Sequence, residues 1–80
     1  MPGPGRILTS NSVDALVGRQ LQRLRERAGL SQAAVATRLE LSPAEIDDCE
    51  QGLRRVSAAE LMALTELVGA PVSCFYEASP

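Results

Sequence analysis

The pattern Ser-x-x-Glu occurs twice, at Ser42–Glu45 and again at Ser57–Glu60, and each copy opens a stretch that a glycine closes. In such a capping box the serine hydroxyl accepts the N–H of the glutamate, whose carboxylate accepts the serine N–H, so the pattern marks a helical first turn. Pro43 stands at the first helical position of the earlier copy, where its missing N–H is no loss. Gly52 ends that helix; Gly69 ends the later one, and Pro71 limits any continuation. A chain punctuated this way builds its core from several short helices.

The remaining segments read the same way. Val13, Leu16, Val17, Leu21, Leu24 and Ala28 recur at three- and four-residue intervals, predicting a first helix from near Asn11 or Ser12 to Gly29. Its polar face takes Arg19, Gln22, Arg23 and Arg25. Ser31 caps a second helix with Val35, Ala36 and Leu39 on one side, ending near Glu40. The later box opens a fourth with Leu61, Leu64, Leu67 and Val68 inward, and "VSCFYE" is long enough for a further turn or short helix anchored by Phe75. "MPGPGRILTS" lacks periodicity, so residues 1–11 are expected to be a flexible arm and 12–78 the domain. The 45 % hydrophobic content comes from Leu, Ala and Val, with Phe75 and Tyr76 the only aromatics, which favours helices over sheet. Eighty residues suit one small core and leave no room for a separate effector domain, so direct small-molecule sensing is not expected.

Several classes are excluded. Cys49 and Cys74 form no C-x-x-C pair, which argues against a zinc site or a disulfide framework and for a reducing compartment. Neither a membrane span nor a secretion signal is present, so the expected location is the cytoplasm. With no histidine, glycine-rich phosphate loop, metal-ligand cluster or nucleophile beside a base, no enzyme activity and no cofactor are expected.

The net charge of −2 is unevenly spread. Residues 1–39 carry +4, residues 40–50 carry −5, and the remainder −1. The −5 segment holds Glu40, Glu45, Asp47, Asp48 and Glu50, and so contains the third helix.

"VGRQLQRLRERAGLSQAAVATRLELSPAEIDDCEQG", continued by "SAAELMALTELVGAPVSCFYE", resembles the Cro/C1-type (XRE-like) helix-turn-helix domain over about residues 13–77. The likeness rests on "RERAGLSQ", the Val35–Ala36 pair, Leu41–Ser42 at the turn, Ile46, and Glu50–Gln51–Gly52 before a leucine-rich helix. It implies an all-α, compact five-helix lambda-repressor-like domain from a bacterium. Residues 32–39 and 43–51 would form the helix-turn-helix, the second helix entering the major groove of double-stranded DNA. Gln32 matches a family position that commonly contacts the DNA backbone, and Glu50 one that holds the motif together. Two features depart from the family: Glu40 stands where the turn commonly carries glycine, placing a Cβ at a left-handed position, and the third helix is acidic.

A helical wheel sorts those acids. With Ile46 at zero, Cys49 falls at about −60°, Glu50 at about 40° and Pro43 at about 60°, all toward the buried side. Ala44, Asp47, Asp48 and Gln51 face outward, while Glu45 is explained by its cap and the helix dipole. A charge about 7 Å from a phosphate in water is repelled by roughly 0.6 kcal/mol, so Asp47 and Asp48 weaken DNA binding without forbidding it. Either they lie beside bases, where an aspartate accepts from cytosine N4, or they form a solvated face that touches no DNA. The candidate DNA-binding set is therefore Gln32, Arg38, Ser42, Ala44, Glu45, Asp47, Asp48, Gln51, Arg54 and Arg55, and Arg6 on the arm can reach a minor groove.

Two functions compete. One is a DNA-binding transcriptional regulator, expected to be nucleoid-associated and homodimeric, with Met62, Val72, Phe75 and Tyr76 as candidates for the dimer seam. The other is an interaction module that presents the acidic third helix to a basic protein partner such as a toxin, a regulator or the transcription machinery. Gln32, Arg38, Arg54 and Arg55 favour the first; the −5 segment favours the second.

Overall fold

The computed structural model describes residues 9–76, with side chains described from residue 13. Helix α1 spans Thr9–Arg27, α2 Gln32–Leu39, α3 Pro43–Glu50 and α4 Ala58–Val68, followed by a 3-10 helix over Val72–Tyr76. Among the described residues the fold is all-helical, with four α-helices where five helices were expected. The last segment is a 3-10 helix rather than an α-helix, its first turn closed by the Cys74 N–H donating to the Pro71 carbonyl at 3.0 Å just after the helix-ending Gly69. Helix α1 begins at Thr9, ahead of the expected Asn11 or Ser12, since neither proline nor glycine interrupts residues 9–12. The rest of the expected arm, including Arg6, lies outside the described residues.

Both capping boxes form. Ser42 Oγ accepts the Glu45 N–H at 3.1 Å while Glu45 returns to the Ser42 N–H at 2.8 Å, and Ser57 and Glu60 repeat the exchange at 3.1 and 2.9 Å. The left-handed turn at Glu40 is present too, with φ 60° and ψ 40°. It lets the Leu41 N–H reach back to the Ala36 carbonyl at 2.8 Å, satisfying an end carbonyl of α2 and turning the chain into α3.

Val17 and Leu21 of α1, Val35 and Ala36 of α2, Ile46 and Cys49 of α3, Leu61 and Leu64 of α4, and Phe75 share one core. Helix α1 packs against α3 and the 3-10 helix, while α2 packs against α3 and α4. The α1–α3 contact depends on Gly18, which the sequence pattern did not single out. A Cβ there would lie 2.1 Å from the Cys49 carbonyl oxygen, so only glycine lets the end of α3 sit directly on α1. Gly52 repeats the device against Ala15, whose Cα a Cβ would approach to 2.8 Å.

Four expected positions differ. Val13 is 46 % exposed, at the edge of an open groove that it lines with Arg55, Val56 and Tyr76. Ala28 follows the last residue of α1 and faces solvent. Pro43 is exposed because the first turn of α3 extends past the Ile46 contact. Arg25, expected on the polar face, is buried.

Candidate functional site

The site is the α2–turn–α3 unit, and the reason for Arg25's burial lies within it. Its guanidinium meets the Glu50 carboxylate fork to fork, Nε to Oε2 at 2.5 Å and Nη2 to Oε1 at 3.2 Å, while Nη1 donates to the Leu30 carbonyl at 2.9 Å. The hydrogen bond to Glu50 holds the guanidinium above its ordinary pKa, against the opposing effect of burial. A fully bonded pair of this kind fixes the angle between α1 and α3. The periodicity of α1 gave no sign of it, because Arg25 pairs with a residue that is distant in sequence.

Gln32 joins the same network. Its Nε2 donates to Glu50 Oε1 at 3.0 Å and to Asp47 Oδ1 at 3.1 Å, so both amide hydrogens are engaged inside the protein. Its side chain, expected at the DNA backbone, thus ties α2 to α3. The first-turn backbone N–H groups of Gln32 and Ala33 have no intrahelical partner. The Ala34 N–H is taken by Ser31 Oγ at 3.0 Å.

Three of the four acids of α3 now have partners within the protein. Glu45 closes its cap, and the Ser42 N–H holds its carboxyl below the ordinary range. Glu50 pairs with Arg25. Asp47, placed outward by the wheel, is half-buried: it accepts from Gln32 and, through Oδ2, from Gln51 Nε2 at 2.5 Å. Asp48 stays exposed on the outer face with Ser42, Ala44 and Gln51.

The flanking arginines differ from one another. Arg38, in the last turn of α2, is exposed, and the structure gives it no ion pair among the described residues. Arg54 turns inward, donating to Glu60 at 3.0 and 3.1 Å and to Cys49 Sγ at 3.4 Å. These bonds push its pKa up and hold the Glu60 carboxyl down. Cys49 is buried, as the wheel placed it, and burial pushes its thiol up, with Arg54 partly opposing. Arg55 meets Asp14 at 3.4 Å but keeps a side chain 72 % exposed. Of the candidate seam residues, Met62, Val72 and Tyr76 are exposed, whereas Phe75 is fully buried: as the largest core side chain it fills the centre under α1.

A family model described as "Helix-turn-helix domain" matches residues 16–73. The HTH-type transcriptional regulator RamB of Mycobacterium tuberculosis is 37 % identical over 59 residues, which are 74 % of this chain and 12 % of RamB, so the chain corresponds to a small part of that relative. Among solved structures, the restriction-modification controller protein C.AhdI from Aeromonas hydrophila superposes with a TM-score of 0.71 at 25 % identity, over 79 % of this chain and 96 % of that one. Hydroxypropylphosphonic acid epoxidase from S. wedmorenis matches with a TM-score of 0.73 over 80 % of this chain and 34 % of that one, but at 18 % identity the likeness is one of fold alone. The family match covers well over half the sequence and falls on the motif described above; the chain belongs to the Cro/C1-type (XRE-like) helix-turn-helix family of transcriptional regulators.

Proposed function

We propose that the protein is a sequence-specific DNA-binding transcriptional regulator, repressor or activator, acting in the cytoplasm on the nucleoid as a homodimer at an inverted-repeat operator. The observation that carries this reading is the exposed α3 face of Ser42, Ala44, Asp48 and Gln51, held on a scaffold that Arg25, Gln32 and Glu50 lock from beneath. An α-helix is about 10–12 Å across with its side chains, which suits the width of the major groove. The backbone N–H groups of Gln32 and Ala33 at the start of α2, with Arg38 and Arg55, supply the phosphate contacts. A single module of this size buries little DNA surface, so two copies are needed for tight specific binding. Met62, Val72 and Tyr76 are the exposed seam candidates that a second copy would cover.

The test is selection of random duplexes by the purified protein, with a salt titration of the enriched sequences and sedimentation of the complex. The expected result is an inverted repeat with half-sites about one helical turn apart and affinity falling steeply with salt.

The second reading is an interaction module for a basic protein partner. It is favoured by one observation: the exposed ionised residues from α2 to the end of α3 are Arg38 against Glu40 and Asp48, a negative balance. Folded protein that enriches no duplex at low salt would select this reading over the first.

A further inference from the structure

We propose that Asp47 is a positioning residue that fixes which end of the Gln51 amide faces DNA, and that Gln51, so held, reads adenine; this rests on the DNA-binding reading above. A glutamine amide presents a donor at one end and an acceptor at the other, and a half-turn about its last bond exchanges them. A carboxylate only accepts. With Gln51 Nε2 on Asp47 Oδ2 at 2.5 Å, a flipped amide would press its carbonyl oxygen against a negatively charged oxygen, so a single orientation survives. Asp47 is itself held: Oδ1 takes the Gln32 amide at 3.1 Å, and the same Gln32 nitrogen is tied to Glu50 at 3.0 Å and through Glu50 to Arg25. The orientation of an exposed side chain at the end of α3 is thus set from the buried ion pair outward.

What remains free on Gln51 is one amide hydrogen and the carbonyl oxygen, a donor beside an acceptor. That pair complements the N7 acceptor and N6 donor of adenine in the major groove. Gln51 is exposed and shares the outer face of α3 with Ala44 and Asp48, whereas Asp47 is half-buried with both oxygens engaged. Asp47 is thereby assigned the positioning role, and Gln51 the contact with the base.

The experiment uses the full chain on the selected operator and on duplexes in which each base pair of a half-site is replaced in turn. Wild type is expected to prefer adenine at one position by roughly tenfold. Gln51→Ala abolishes that preference, Asp47→Asn abolishes it as well, and the double variant loses no more than either single change. Asparagine keeps the size of Asp47 but flips freely, so it no longer dictates the Gln51 orientation. A purely structural role would instead lower affinity for every duplex alike. The side-chain amide resonances of Gln51 are expected to be shifted from those of a free glutamine in the wild-type protein and to move toward them in Asp47→Asn, a readout that needs no DNA. If Asp47→Asn disturbs folding, Asp47→Glu, which keeps the carboxylate but moves it, tests the positioning role, while Gln51→Ala, at an exposed side chain, tests the contact with the base. Adenine preference persisting in either variant overturns the proposal, as does a cytosine preference lost in Asp47→Asn and kept in Gln51→Ala. Wild-type protein that binds no duplex would remove the DNA-binding reading and this inference together. Binding with every base preference intact in Gln51→Ala removes this inference alone.

Discussion

Arg25 of α1 and Glu50 of α3 form a two-pronged ion pair whose side chains are only 10 % and 3 % exposed, and it is the join between the long first helix and the helix-turn-helix. Removing one partner strands the other charge. Arg25→Met is therefore expected to cost about 3 kcal/mol in urea denaturation, while Arg25→Met combined with Glu50→Leu recovers much of the loss, because neither charge is then left buried and unpaired.

Gly18 and Gly29 separate steric from conformational demands on glycine. A Cβ on Gly18 meets the Cys49 backbone oxygen at 2.1 Å, whereas a Cβ on Gly29 meets nothing but must sit at φ +76°. Gly29→Ala should cost about 1 kcal/mol for the left-handed backbone. Gly18→Ala must force α1 and α3 apart and should cost clearly more, to the point of unfolding a domain this small. Melting the two variants side by side checks the order.

Glu40 is the one described non-glycine residue with positive φ. Glu40→Gly relieves that strain at an exposed turn, and a gain of about 0.5–1 kcal/mol is expected, less the added entropy of the unfolded chain. A melting temperature raised by a few degrees is the expected reading.

Glu60 is held below its ordinary 4.5, first by Arg54 and then by the Ser57 N–H; Glu45 is held below it by Ser42. A carboxyl whose pKa is lower in the folded state binds fewer protons there than in the unfolded state. Its contribution is complete above the unfolded value and is lost as pH falls through the folded one. Stability should thus be flat near neutrality and decline below about 4.5. Arg54→Ala, which removes the largest cause at Glu60, should flatten that decline in an acid titration followed by circular dichroism.

Asp48 is the acid of α3 for which the structure gives no partner among the described residues. If α3 lies in the groove, Asp48→Asn relieves a repulsion of roughly 0.6 kcal/mol and tightens binding to all sequences by about threefold at low salt. Unchanged affinity would place Asp48 away from the phosphates. Arg38→Ala should act in the opposite sense, weakening all sequences alike and lowering the salt slope by about 1.

Local chemistry was legible in the residues themselves. The boxes at Ser42–Glu45 and Ser57–Glu60 and the inward Ile46, Cys49 and Glu50 depend on neighbours within four positions, and they appear in the structure as the sequence predicts, as does the left-handed Glu40 that the family resemblance implied. Composition and spacing also sufficed for an all-helical core, while the family came from the resemblance carried by motifs such as "RERAGLSQ" and Glu50–Gln51–Gly52. What needed the tertiary structure were the partners. Arg25 looked solvated because its counter-charge is 25 positions away, and Asp47 looked outward because a wheel cannot show that Gln32 crosses from α2 to meet it. Gly18 carried no local signal at all, since its requirement is set by the Cys49 carbonyl of another helix. Secondary structure here follows from short-range hydrogen bonding and periodicity, whereas the pairing of charges and the closest backbone approach exist only once the helices are packed.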